Sequence, residues 1–221
     1  MKRSKSLPAV NLEQVQAGID RCLKTAWNLY HAGVVAHFQD IPGPSRALLV
    51  LALEEYGKVG WLYWSVTLST EDRGRWERFW AGFYSHRDKN SVGRRMLGHA
   101  TTTDLLPTIV HFFEYESPFF SVSPREIDVY KQGMLNVDFN PAAGMFVAPE
   151  EHLANSRIDT SSLRDSIELL IQYVARNKKK GVFDLENIAR FKEIHSAAKT
   201  NADLAGLLRS FQNDLLTRKP D

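Results

Sequence analysis

The longest strongly apolar run in the chain is Arg46–Trp64, RALLVLALEEYGKVGWLYW. Apolar residues fall on every side of a helix drawn through it, which places that helix in the middle of a core. It opens behind Pro42-Gly43-Pro44, where a proline in the first turn suits a helix start. Weaker periodic stretches flank it. Val15, Ile19, Cys22, Ala26 and Leu29 form a helical stripe over Asn11–Gly33, broadened by Leu23, Trp27 and Tyr30. Asn11 and Gln14 have the spacing of a capping box, and residues 32–43 are expected to turn the chain. A third helix is predicted to open at Thr70-Glu71-Asp72 and to run through Lys89, with Trp76, Phe79, Trp80 and Phe83 on one face. Such a stripe reads first as core and only second as a stacking surface for bases or a cofactor.

A fourth helix is predicted over Val92–Tyr115, kinked or divided by Pro107, and a short one over Pro124–Leu135 with Ser123 as its cap. Residues 134–149, MLNVDFNPAAGMFVAP, break the pattern and read as an irregular or extended insert. Helices then resume over Asp159–Lys178, Asp184–Lys199 and Ala202–Thr217. The class is all-α, an antiparallel helical bundle with a short irregular or extended insert and additional C-terminal helices. Residues 1–10 read as a flexible arm, 11–176 as the body and 177–221 as a helical extension.

Composition narrows the function more than the fold. The 221 residues are 43% hydrophobic and 24% charged, with a net charge of +2, so a nucleic-acid site would have to be a local patch. A single cysteine, Cys22, allows no internal disulfide and fits a reducing cytoplasm. The basic Met1–Ser6 is followed by no apolar core of a secretory signal, and charges interrupt the central run too often for a membrane span. No Gly-rich phosphate loop, nucleophile elbow or zinc spacing is present. Nor do two helices carry the Glu-x-x-His pairs of a di-metal bundle. Neither a metal nor a cofactor is expected.

Two constellations remain. Glu54, Glu55 and Lys58 lie inside the apolar helix. Glu54 and Lys58 have the i, i+4 spacing of a structural ion pair, yet ionisable groups in a core also gather at functional sites. Gly57 and Gly60, one turn apart, would let another helix approach closely, within the subunit or across a dimer. The second is the basic stretch Ser85–Arg95, SHRDKNSVGRR, expected as a junction between helices. It reads either as a solvated surface or as a grip on RNA phosphates through Arg87, Lys89 and Arg95. Arg94 and His99 form an Arg-x4-His pair beside it. A histidine there can move the proton of a ribose 2′-hydroxyl while an arginine stabilises charge on phosphorus, with no metal. Arg190–His195 matches the same pattern, so the pattern alone does not select a site.

The segments ALEEYGK (Ala52–Lys58), RFWAGFYSHRDK (Arg78–Lys89) and LNVDF (Leu135–Phe139) resemble, in order and spacing, the abortive-infection AbiV family of HEPN-type domains. The resemblance spans roughly residues 11–176. It implies a compact helical bundle that often dimerises, and a role in bacterial defence that halts the phage-infected cell. Many HEPN relatives are metal-independent RNases with an Arg-x(4–6)-His motif. The family's acidic and lysine positions fall on Glu54, Glu55 and Lys58, and its His and Lys on His86 and Lys89. The HEPN pair falls on Arg94 and His99. If His86 is the family histidine, no Arg precedes it at that spacing, and the motif is degenerate. The leading expectation is therefore a cytoplasmic effector acting on tRNA, mRNA or ribosome-associated RNA, with His86 or His99 as acid/base and Arg94 as phosphate stabiliser. It would be triggered by a phage protein. The rival is a non-catalytic interaction module that binds through the aromatic third helix or the Gly57/Gly60 face.

Overall fold

The computed structural model describes residues 9–100, 138–140, 145–147 and 159–217. Among them are seven α-helices: α1 Leu12–Phe38, α2 Pro42–Ser65, α3 Arg73–Tyr84, α4 His86–Ala100, α5 Thr160–Lys179, α6 Leu185–Ala197 and α7 Asn201–Thr217. Strands β1 (Asp138–Asn140) and β2 (Met145–Val147) form one antiparallel pair, with Phe139 opposite Phe146. They occupy the stretch expected to be irregular or extended. The predicted helix Pro124–Leu135 and the part of the fourth helix beyond Ala100, Pro107 and His111 included, lie outside the described residues.

The helix starts follow from side-chain caps. At α1, Asn11 Oδ1 accepts from the amide of Gln14 (2.8 Å) and Gln14 Oε1 accepts from the amide of Asn11 (2.9 Å), a complete capping box. Asp72 and Asp159 cap α3 and α5 by accepting from the amides of Arg75 and Ser162. The end of α1 departs from expectation. It continues past Gly33 to Phe38 because Gly33 is a contact point, not a stop. A β-carbon there would stand 3.0 Å from Leu49 Cγ, and Ser45 Oγ donates to the Gly33 carbonyl at 2.8 Å.

The second departure concerns the third helix. It ends at Tyr84, Ser85 is extended, and α4 opens at His86. Ser85 is the cause: its hydroxyl accepts from the amide of Asp88 (3.2 Å), as an N-cap does. The basic stretch Ser85–Arg95 is therefore the first part of α4, not a junction between helices.

Helix α2 is the centre of the core. Leu49, Leu53, Val59 and Tyr63 are buried in it, and it packs on α1, α4 and α5. The core continues past residue 176. Tyr63 packs on Phe191 of α6 at 4.6 Å between ring centroids, and Phe211 and Leu215 of α7 are buried in the same cluster. No helix among the described residues is long and apolar enough to cross a membrane.

Candidate active site around His86

Three glycines bring α4 onto α2, two of them backbone against backbone. A β-carbon on Gly57 would overlap the carbonyl oxygen of Lys89, one on Gly93 would reach the Leu53 carbonyl oxygen at 2.5 Å, and one on Gly60 would meet Val92 Cγ1 at 2.5 Å. The Gly57/Gly60 face is thus filled by α4 of the same subunit, not by a second chain. This close crossing sets the first turn of α4 over Glu54.

Glu54 is 2% exposed. Its Oε2 lies 2.6 Å from Nδ1 of His86 and 3.9 Å from Nζ of Lys89. A buried carboxylate is costly unless charges or hydrogen bonds compensate it, and here an imidazole and an ammonium from one turn of α4 share that task. The His86 side chain is 47% exposed. The arrangement is a buried carboxylate holding a solvent-reachable imidazole. With Nδ1–H donating to Glu54, the neutral ring carries its lone pair on Nε2, which can take a proton from a substrate hydroxyl.

The expected i, i+4 pair between Glu54 and Lys58 does not form. Lys58 pairs instead with Glu55 at 2.5 Å and lies 5.9 Å from the centre of the Phe83 ring. Glu55 acts on α1: together with burial, the larger cause, it pushes the Cys22 thiol up to about 12. Of the charges Glu54, Glu55 and Lys58 in α2, Glu54 faces the α4 cluster, while Glu55 and Lys58 serve the α1 and α3 side.

The remaining positions divide around α4. Arg87 is exposed and Arg94 is buried. Arg95 is half-buried and lines a cleft on another side of the helix. Position 99 is in the last turn of α4, and the His99 side chain lies outside the described part of the structure. Five residues correspond to about 140° around an α-helix, so positions 94 and 99 do not share a face, whereas 95 and 99 do. The other Arg-x4-His match serves the core. Arg190 pairs with Asp214 and lies over the Phe211 ring, and His195 packs on Phe191 at 4.6 Å.

Sequence reasoning missed Asn90. It is 1% exposed and lies one turn from both His86 and Arg94, and neither atom of its amide makes a hydrogen bond among the described residues. The only available signal was its i, i+4 register with those two residues. Among the described residues no three His, Cys, Asp or Glu side chains gather as a metal site.

No curated protein and no solved structure matches the chain. One family model does, over residues 14–203, from the first turn of α1 into the first turn of α7. Those residues make up most of the sequence and include both helices that build the Glu54–His86 pair, and on this match the chain belongs to the AbiV family of HEPN proteins.

Proposed function

We propose that the protein is an abortive-infection effector that arrests the phage-infected cell by cleaving RNA without a metal, with His86 as the acid/base. The family points to phage defence. The observation that carries the chemistry is the 2.6 Å contact between buried Glu54 and half-exposed His86. A carboxylate fixed on Nδ1 orients the ring, holds its tautomer and stabilises the imidazolium formed when Nε2 takes the 2′-hydroxyl proton. The 2′-oxygen then attacks the adjacent phosphorus, and the imidazolium returns a proton to the departing 5′-oxygen. Arg87, exposed one residue away, would meet the phosphate. Lys89 lies on the Glu54 side and balances the buried carboxylate. Arg94 is buried and is not assigned the phosphate.

The test is cleavage of end-labelled RNA in EDTA by the full chain, beside His86→Ala and His99→Ala. Loss of cleavage in His86→Ala, with cleavage retained in His99→Ala, is the expected result. Undiminished metal-free cleavage by His86→Ala sinks the assignment. One feature favours a binding protein of the same fold. Tyr84 of α3 is 62% exposed and stacks on Trp80 at 5.7 Å, a flat aromatic surface suited to a protein partner. Protection against phage that survives His86→Ala but is lost in Tyr84→Ala would select that reading.

A further inference from the structure

The side of α4 that carries Asp88 and Arg95 forms a cleft with α3. Its volume is about 280 Å³, and its polar lining is Arg78 of α3 with Asp88, Ser91 and Arg95 of α4. The floor is the Trp61 ring of α2. Gly82 makes this floor possible, because a β-carbon at that position would overlap the indole. Helix α3 therefore lies down on Trp61 while its arginine side stays open. Arg78 is exposed, and Asp88, Ser91 and Arg95 are half-buried, so a ligand can reach all four.

Two guanidiniums from different helices face a cleft with one carboxylate. Arg78 and Asp88 line the same space yet form no ion pair among the described residues. Among the described residues no ion pair consumes the Arg78 charge. Planar guanidiniums contributed by two helices to one cleft, with a serine hydroxyl in the same lining, suit the tetrahedral oxygens of a phosphate. The volume suits a phosphate and its attached sugar better than a larger ligand.

We infer that this cleft is a phosphate-binding subsite, with Arg78 and Arg95 holding the charge, Ser91 donating from its hydroxyl and Asp88 setting an upper limit on affinity. Its natural occupant is a phosphate of the RNA strand, which in this respect rests on the RNA reading above. A terminal phosphate of a mononucleotide offers the same chemistry. The strand would then be held on one side of α4 and cut at His86 on another.

The experiment is binding to the full chain, by fluorescence anisotropy for a short labelled single-stranded RNA and by calorimetry for adenosine monophosphate and inorganic phosphate. Arg78→Ala and Arg95→Ala each weaken RNA binding by about tenfold or more and flatten its salt dependence by about one ion. Asp88→Asn, which removes the opposing charge, tightens it. Thermal melting of each variant checks that the fold is intact. Mononucleotide binding with the same dependence on Arg78 and Arg95 makes a terminal phosphate the occupant, and dependence seen only with RNA makes it the backbone. Wild-type binding of every probe that is indifferent to Arg78, Arg95 and Asp88 overturns the subsite, as does no binding at all. Because the assay reads binding, a His86→Ala protein that binds normally but cannot cleave leaves the subsite standing. A wild type that binds through Arg78 but never cleaves removes only the catalytic reading.

Discussion

Gly57 of α2 has no room for a single added methyl, because the carbonyl oxygen of Lys89 in α4 occupies the space where its β-carbon would stand. The clash would be with backbone, which cannot rotate away as a side chain can. Gly57→Ala must therefore push the first turns of α4 off α2. Overpacking of this kind costs about 3 kcal/mol, read as a fall in the denaturation midpoint. The same displacement moves His86 and Lys89 away from Glu54, so function should fall even at temperatures where the variant remains folded. Gly74→Ala is the control: its β-carbon would meet nothing closer than 3.8 Å, so stability should be unchanged or slightly raised and function unchanged.

The Glu54–His86 contact carries a second prediction. Glu54→Gln keeps an acceptor for Nδ1–H and nearly the same volume, but it removes the negative charge that stabilises an imidazolium. The RNA cleavage rate should fall on the order of a hundredfold or more, and the thermal midpoint should fall as well, because the buried Lys89 ammonium loses the carboxylate that stands 3.9 Å from it. The double variant Glu54→Gln/His86→Gln should be no slower than His86→Gln alone, because the carboxylate acts through the ring. A further rate loss in the double variant would show that Glu54 contributes independently of His86.

The bundle was legible in the sequence where a pattern had a local cause. The Asn11/Gln14 box, the helix starts near Asp72 and at Asp159 and the all-round apolarity of α2 each depend on residues within a turn or two of one another. The break at Ser85 also had a local signal, since Ser85 stands three residues before Asp88. The aromatic stripe running on from Phe79 and Phe83 obscured it. The site was legible as a list of residues and not as pairs. Glu54 and Lys58 have ideal helical spacing, but helix α4, 32 residues on, offers Glu54 a closer partner in His86. That choice is made by the glycine crossing of α2 and α4, and no rule about neighbours along one helix contains it.

Asn90 carries the next prediction. A buried amide with no hydrogen-bond partner among the described residues costs the protein the solvation of both its polar atoms. Asn90→Leu, of similar size, should leave the thermal midpoint unchanged or raise it. If Asn90 steadies the His86 site or its substrate, the same variant should lose RNA cleavage, the exchange of stability for function seen where a site holds an unfavourable group. A destabilised Asn90→Leu protein would mean that the amide has a structural partner such as a bound water, and a stable, fully active one would mean that it has no role.

The acid sensitivity of the fold should arrive in two steps. His195 is held below its ordinary 6.5, first by burial and then by the positive charge of Arg75. Protonation is therefore easier in the unfolded chain, and the unfolded state binds more protons as pH falls below 6.5. The stability associated with neutral His195 is complete above that value and declines as pH drops toward the lowered folded value. Asp159 is held below its ordinary 3.8, chiefly by the hydrogen bonds it accepts from Ser162 at the start of α5. Its contribution is complete above 3.8 and is lost only below it. Denaturant midpoints measured from pH 7 to pH 3 should show an early decline that His195→Phe removes, because a phenyl ring keeps the packing on Phe191 and cannot titrate. The later decline should remain in that variant and shrink in Asp159→Asn. An early decline that persists unchanged in His195→Phe would assign it to another group.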